Sequence, residues 1–379
     1  MPDFYEFFAG GGMVRAGLGP TWQCLFANDF DHKKSRIYRQ NWGDGELKTA
    51  DIATLSTTDL PGCPDLVWAS FPCQDLSLAG GGAGLTGNRS GTFWPFLRLM
   101  KARIAEHRAP EMIVLENVCG TLTSHAGEDF AAICNALADE GYMTGALVAD
   151  AALFVPHSRP RLFIICVRAN ASIPAGCISN APVLPWHTKA LRTAYAKLPA
   201  RTRREWIWWN PPMPVARTTS LADLIEENPP DVSWFSVDET SRLVAKMSDL
   251  NKEKLDQARL DGRRVVGGLY RRTRHDEFGR KVQRAEIRFD DLSGCLRTPA
   301  GGSSRQVIIV VEGESVKARL ISGRETARLM GLPDTYALPE NYNEAYHLTG
   351  DGVVVPVVRH LARCIFEPVL MEARVTVAA

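Results

Sequence analysis

Up to about residue 167 the chain alternates short apolar runs, rich in β-branched and aromatic residues, with longer amphipathic stretches. Strands buried on both faces read as near-continuous apolar runs, and the helices that cross between them bury one stripe each. The pattern therefore demands βαβ units on a parallel sheet. Strands are expected at 4–8, 24–27, 66–69, 112–115, 144–149 and 162–167, and helices at 34–41, 92–106 and 130–140. After residue 168 the texture shifts to Ala, Ser, Pro and Gly, then to Trp-rich and Arg-rich sequence of weak periodicity. Helical patterns return at 322–330 and 355–366. The expected architecture is a doubly wound, mostly parallel α/β sheet formed by residues 1–172 and 340–379, with a less regular domain, 173–339, inserted. A chain of 379 residues, 45% hydrophobic and 23% charged, is long enough to bury one large core and a smaller one.

Composition removes several classes of function. The longest apolar runs, such as 307–311, fall far short of a membrane span, and the acidic stretch 3–6 lacks the positive charge that opens a secretory signal. A cytoplasmic location and no membrane partner are expected. Nine cysteines without a Cys-x-x-Cys pair, and eight histidines that do not join them at metal-ligand spacing, point to reduced thiols and no metal. The net charge of +1 hides a local excess. Residues 263–305 carry eleven basic side chains, among them Arg271, Arg272, Arg274, Arg297 and Arg305, against five acidic ones, as phosphate neutralisation requires. A solvated face would have the same composition. Trp206, Trp208 and Trp209 are expected in the core of the inserted domain.

Chemistry gathers at the ends of the expected strands. Glu6-Phe7-Phe8-Ala9-Gly10-Gly11-Gly12 ends the first strand and opens a helix, where glycines let a ligand approach backbone and the helix N-terminus attracts negative charge. Tight packing alone would use the same residues. Asn28-Asp29-Phe30-Asp31 follows the second strand, where a carboxylate can bind ribose hydroxyls and a ring can cover a base; a helix N-cap is the alternative use of either Asp. Asp51-Ile52 repeats the acidic-plus-apolar pattern. Ser70-Phe71-Pro72-Cys73-Gln74 directly follows a buried central strand, where doubly wound sheets bind ligands, and the glycine-rich stretch 80–84 suits a loop that closes over a substrate. Glu116, in Leu115-Glu116-Asn117-Val118, falls at the same edge, where burial can keep a carboxyl protonated for donation to a ring nitrogen. Arg159-Pro160-Arg161, before the last strand, offers fixed donors to a carbonyl or a phosphate.

In order and spacing these segments resemble the cytosine-5 DNA methyltransferases, over roughly the first 168 residues and again from about Arg319 to Leu361. Pro72-Cys73-Gln74 is similar to the family's catalytic Pro-Cys, Glu116-Asn117-Val118 to its Glu-Asn-Val, and Arg159 with Arg161 to its Arg-x-Arg. Arg319 with the run 324–334 resembles the motif that organises the recognition domain, and Gly350-Asp351-Gly352-Val353 with Pro356-Val357 the motif that completes the cofactor pocket. Glu6, His157 and Asp351 depart from the Asp, Gln and Asn usual in the family. The resemblance implies an S-adenosylmethionine-dependent enzyme, releasing S-adenosylhomocysteine, that acts as a monomer on double-stranded DNA, as in restriction-modification systems. Cys73, Glu116, Arg159 and Arg161 would be catalytic. Phe8, Ala9, Gly10, Gly11, Gly12, Asp29, Phe30, Asp51, Ile52, Pro72, Asp351, Gly352 and Val353 would hold the cofactor. Gln74, Ser77, Arg89, Arg271, Arg272, Arg274, Arg297 and Arg305 would touch DNA. Methylation of cytosine in RNA and a non-catalytic DNA-binding role are the alternatives, separable by which nucleic acid becomes labelled.

Overall fold

The computed structural model describes residues 1–72, 90–275, 278–297 and 305–378. The chain forms two compact units, one of residues 1–150, 160–214 and 353–379, the other of 151–159 and 215–352.

The first unit is built on a seven-stranded sheet of β1 (Asp3–Phe7), β2 (Gln23–Asp29), β3 (Leu47–Thr49), β4 (Leu66–Ala69), β5 (Met112–Val118), β6 (Tyr142–Asp150) and β7 (Pro160–Arg168), in the order β3-β2-β1-β4-β5-β7-β6. Pairing is parallel from β3 through β5, whereas β7 runs antiparallel to both β5 and β6. Helices α1 (Met13–Leu18), α2 (His32–Trp42), α3 (Phe93–Ala105) and α4 (Glu128–Asp139) cover the sheet. All four residues of β4 are buried, which is why Leu66-Val67-Trp68-Ala69 shows no polar alternation. Tyr5 and Phe7 of β1 pack edge-on against Phe26 and Phe96, each buried side chain of this kind stabilising the unit by about 1.5–3 kcal/mol.

Strand order reverses between β1 and β4. Chain order runs outward through β2 and β3 on one side and through β5 on the other, so the connections leaving Phe7 and Ala69, which sit side by side, diverge and leave a crevice at the carboxyl edge. The glycine turn and Ser70-Phe71-Pro72 both leave from this point. The antiparallel β7 brings the start of its strand to the same edge, setting Arg161 opposite Val118.

Past β7 the Ala-, Ser-, Pro- and Gly-rich stretch and the Trp-rich sequence after it, as far as residue 214, belong to the first unit. A short pair, β8 (Ile178–Ser179) with β9 (Trp208–Trp209), and helices α5 (Lys189–Ala196) and α6 (Ala200–Arg204) lie there. Trp208 and Trp209 are buried, as core residues should be, but in this unit and not in the inserted one: the Trp209 indole donates to the Ile165 carbonyl at 3.0 Å. The helix Val355–Leu361 also packs here, so closely that a Cβ on Gly17 of α1 would lie 2.4 Å from Val358.

The second unit is more regular than its sequence suggests. Its sheet is antiparallel, β11-β10-β12-β13, with β10 (Val265–His275), β11 (Lys281–Arg288), β12 (Val307–Glu312) and β13 (Ser315–Leu320). β12 pairs with β10 only over Val265–Leu269, and from Tyr270 outward β10 has β11 alone beside it. Apolar alternation is therefore confined to the inner half of these strands, where Leu269, Ala285, Ile287 and Ile309 are buried; the outer half is an exposed ribbon of polar residues. Arg319 and Glu325, both fully buried, meet in two hydrogen bonds of 2.6 and 2.8 Å, and Ser322 caps the helix Gly323–Leu329. Among the described residues no helix is long and apolar enough to cross a membrane.

Candidate active site

The glycine turn is shaped by backbone conformations that few residues tolerate. Gly10 and Gly12 have φ of 56° and 78°, and Phe8, at φ 58°, is a non-glycine residue held in the same left-handed region. A Cβ on Gly12 would come within 2.4 Å of the Trp42 indole nitrogen, which donates to the Gly11 carbonyl at 2.9 Å. A Cβ on Gly10 would meet nothing within 4 Å, so that position opens onto free space. Trp42, at the end of α2, thus buttresses the turn from below. Nothing in its sequence position marks it for this role, because the contact depends on how α2 packs.

Asp29 is the tie between the first two loops. Its carboxylate accepts from the Gly10 and Asp31 amides, each at 2.8 Å, and is 7% exposed. Burial pushes its pKa up, opposed by Lys34 and by those two amides. The N-cap of α2 falls to Asp31, which accepts from the Lys33 and Lys34 amides. Phe30, between them, exposes 67% of its surface beside this edge. Asp51 caps the turn at Ala53, and Ile52 is buried. Glu6 lies beneath the turn, 1% exposed: one oxygen accepts from the Val14 amide at 3.2 Å, the other has no partner, and burial pushes the carboxyl up to about 8.

On the other side of the crevice, Glu116 and Arg161 come together as an ion pair, Nε to Oε1 3.3 Å, both largely buried. Arg161 also donates to the Pro160 carbonyl. Asn117 holds the neighbouring strand end: its amide donates to the Phe71 carbonyl at 3.2 Å while its oxygen accepts from Val118 and Thr121. It therefore fixes the backbone immediately before Pro72. Cys73, Gln74, Ser77 and Arg89 lie outside the described residues.

Arg159 faces a different way from Arg161. It is 2% exposed and donates to the carbonyls of Leu296, Gly350 and Gly352 at 2.7–3.0 Å, a staple within the second unit. His157, buried in the same unit, accepts from the Leu296 amide through Nε2 and faces the Leu329 carbonyl through Nδ1, which suits the neutral ring protonated at Nδ1. Asp351 is exposed at the end of the helix Tyr342–Asp351, next to Gly352, and Val353 is buried in the first unit. On the ribbon Arg271, Arg272 and Arg274 are exposed, but Arg272 and Arg274 share Glu286, at 3.2 and 2.7 Å. Arg297 is exposed, and Arg305 bonds Asn343 and lies over the Tyr342 ring.

A mostly parallel sheet in this order, with its last hairpin reversed and a glycine turn opening at the carboxyl edge, defines a class I methyltransferase fold carrying an additional antiparallel domain. The family model of the C-5 cytosine-specific DNA methylases matches residues 3–367, and the chain belongs to that enzyme family. It is 24% identical over 361 residues to the type II methyltransferase M.HhaI of Haemophilus parahaemolyticus, covering 95% of this chain and 92% of that one. It is 25% identical over 375 residues to M.HaeII of Haemophilus aegyptius, covering 97% and 94%. Among solved structures, the Entamoeba histolytica methyltransferase EhMeth superimposes with a TM-score of 0.62 at 14% identity, over 97% of this chain and 98% of that one.

Proposed function

We propose that the enzyme methylates carbon 5 of a cytosine within a specific duplex DNA sequence, through a covalent adduct on Cys73 and with S-adenosylmethionine as methyl donor. The observation that carries this is the Glu116–Arg161 pair at the carboxyl edge, one strand away from the chain leading into Cys73. Carbon 5 of cytosine is a poor nucleophile, so addition of the Cys73 thiolate to carbon 6 would activate it as an enamine. Glu116 would hold the ring nitrogen and amino group, and Arg161 the carbonyl, stabilising negative charge as it develops. The target base must leave the stack to reach residues at a sheet edge, so base flipping is part of the proposal.

The cofactor supplies an electrophilic methyl group when bound. The open space at Gly10, the exposed ring of Phe30 and the acidic Asp29 and Asp51 suit a nucleoside-bearing ligand, with Phe8 to Gly12 against its amino-acid end. Asp29 would act as much by shaping the turn as by direct contact, since both its oxygens already accept amide protons. Residues 1–172 and 340–379 would carry catalysis and 173–339 target recognition, with one chain acting on one DNA site. Arg159 would serve by ordering the loop around Leu296 and the Gly350–Gly352 backbone.

DNA with 5-fluorocytosine at the target tests the proposal, because fluorine cannot leave as a proton does. The wild type should form a cofactor-dependent covalent complex and Cys73→Ser none, while Glu116→Gln should slow methylation by about 10²–10⁴-fold. An adduct formed by Cys73→Ser would move the nucleophile to another cysteine.

A further inference from the structure

We propose that the first unit carries a second phosphate-tracking surface, formed by α5, α6 and the loop after β5, that holds the backbone of DNA flanking the target cytosine. It rests on the reading of the chain as a DNA-modifying enzyme and uses none of the side chains named above for catalysis, cofactor or DNA contact; its basic residues fall within the 173–339 stretch but in the part that folds with the first unit. From residue 189 to residue 204 there are six basic residues, Lys189, Arg192, Lys197, Arg201, Arg203 and Arg204, and no acidic one. All six are exposed. Leu191, Ala194 and Leu198 on the opposite side are buried in the main core, so packing fixes which way the cations face. Lys189, Arg192, Thr193, Ala196 and Lys197 follow one another at helical spacing and line a shallow concavity of about 570 Å³.

This stripe is anchored to the carboxyl edge of the sheet. An adjoining concavity of about 480 Å³ shares Lys189, Thr193 and Lys197 and adds Leu122, Thr123 and Ala126 from the loop that leaves β5 after Glu116. That loop is held in a costly conformation: His125 and Ala126 are consecutive non-glycine residues at φ 44° and 55°. Ser124 and His125 both bond Asp129, and the Lys197 ammonium donates to the Ala126 carbonyl. Among the described residues Arg201 is the one cation of the six in an ion pair, with Asp139 at 2.8 Å. The larger concavity is lined by Lys189, Arg192 and Lys197 with no acidic residue; like charge gathered in this way is unfavourable in the free protein, and a polyanion relieves it. The eight residues of α5 extend about 12 Å. A duplex strand carries one phosphate per about 3.4 Å, so the stripe spans several phosphates.

The test replaces Lys189, Arg192, Arg203 and Arg204 together by Gln, leaving Lys197 and Arg201 to their structural partners. Affinity is measured against salt for a duplex of about one helical turn around the target and one of about four turns, with the melting temperature as control for folding. The wild type should prefer the long duplex. The variant should lose that preference, its log–log salt slope on long DNA falling by about 3–4, while it methylates the short duplex at the wild-type rate. Should the quadruple variant fold poorly, Arg203→Gln with Arg204→Gln should lower the slope by about 2. An unchanged slope and length preference in a folded variant overturns the surface. Lost affinity for folded RNA with duplex affinity intact overturns its assignment to DNA. A wild type that binds both duplexes but methylates neither refutes the enzymatic reading, and the salt slopes still decide the surface.

Discussion

Glu6→Gln is the perturbation whose size follows most directly from the structure. Glu6 is buried under the glycine turn with one oxygen unpartnered, and burial pushes its pKa to about 8 from an ordinary 4.5. A carboxyl raised in the folded state binds its proton more tightly there than in the unfolded chain. Between pH 4.5 and 8 the folded protein holds the extra proton, so this group's contribution to stability is largest below pH 4.5 and is lost as pH rises through that window. The loss is about 1.4 kcal/mol per pH unit, at most roughly 5 kcal/mol across the window. Gln keeps the acceptor for the Val14 amide and cannot ionise. Denaturant unfolding of both proteins at a series of pH values, followed through the transition of the seven-stranded unit, isolates the effect as a difference. The stability of Glu6→Gln relative to wild type should climb with pH by up to about 1.4 kcal/mol per unit between pH 4.5 and 8 and level off above pH 8. A difference flat to within about 0.5 kcal/mol would refute the argument, and the Glu6 carboxylate would have to be solvated or paired in the folded state.

Asp29→Ala frees the Gly10 and Asp31 amides, so cofactor dissociation constants measured by calorimetry should rise about 10–100-fold, and Asp29→Asn, which keeps one acceptor, should fall between. Arg159→Ala strips donors from three buried carbonyls and should lower unfolding stability by about 3 kcal/mol or more, whereas Arg161→Ala should chiefly lower the methylation rate; equal stability losses in the two would erase the distinction drawn between them. Replacing Arg271, Arg272 and Arg274 by Gln should make the salt dependence of DNA binding shallower by less than the 2.7 or so that three free cations would give, because Arg272 and Arg274 already share Glu286.

The strands legible in the sequence were those whose neighbours bury both faces. Their outer ends were not legible, for physical reasons visible at particular residues. β5 continues past Leu115 through Glu116 and Asn117 because β7 pairs with it that far, although two polar residues break the apolar run. Phe8 fits the apolar pattern yet leaves the strand, its backbone turning left-handed. β3 is three residues long, too short for any period. In the candidate site, residue types at strand ends picked out Glu116, Arg161 and the turn as candidates, and the fold brings Glu116 and Arg161 together, but pattern alone could not separate Arg159 from Arg161. They sit on opposite sides of Pro160, and only the fold assigns one to buried carbonyls and the other to Glu116. Trp42 carries no local signature because its work is done by a tertiary contact, and Asn117, although part of the Glu-Asn-Val run, gives no sign in the sequence that it holds the Phe71 carbonyl.

The packing of Val355–Leu361 against α1 has a consequence for how the protein comes into being. The helix that leads away from the glycine turn is backed by residues translated some 340 positions later, Gly17 resting on Val358. At about 5–20 residues per second, a ribosome needs on the order of 20–70 s to make that span. Throughout this interval the turn stands without its support, while the second unit, whose residues 215–352 all precede the support, can already be complete. A nascent chain would thus be able to engage nucleic acid before it could hold a methyl donor. On the proposed reading, the order of synthesis would hold back cofactor binding until residues 355–361 had been made.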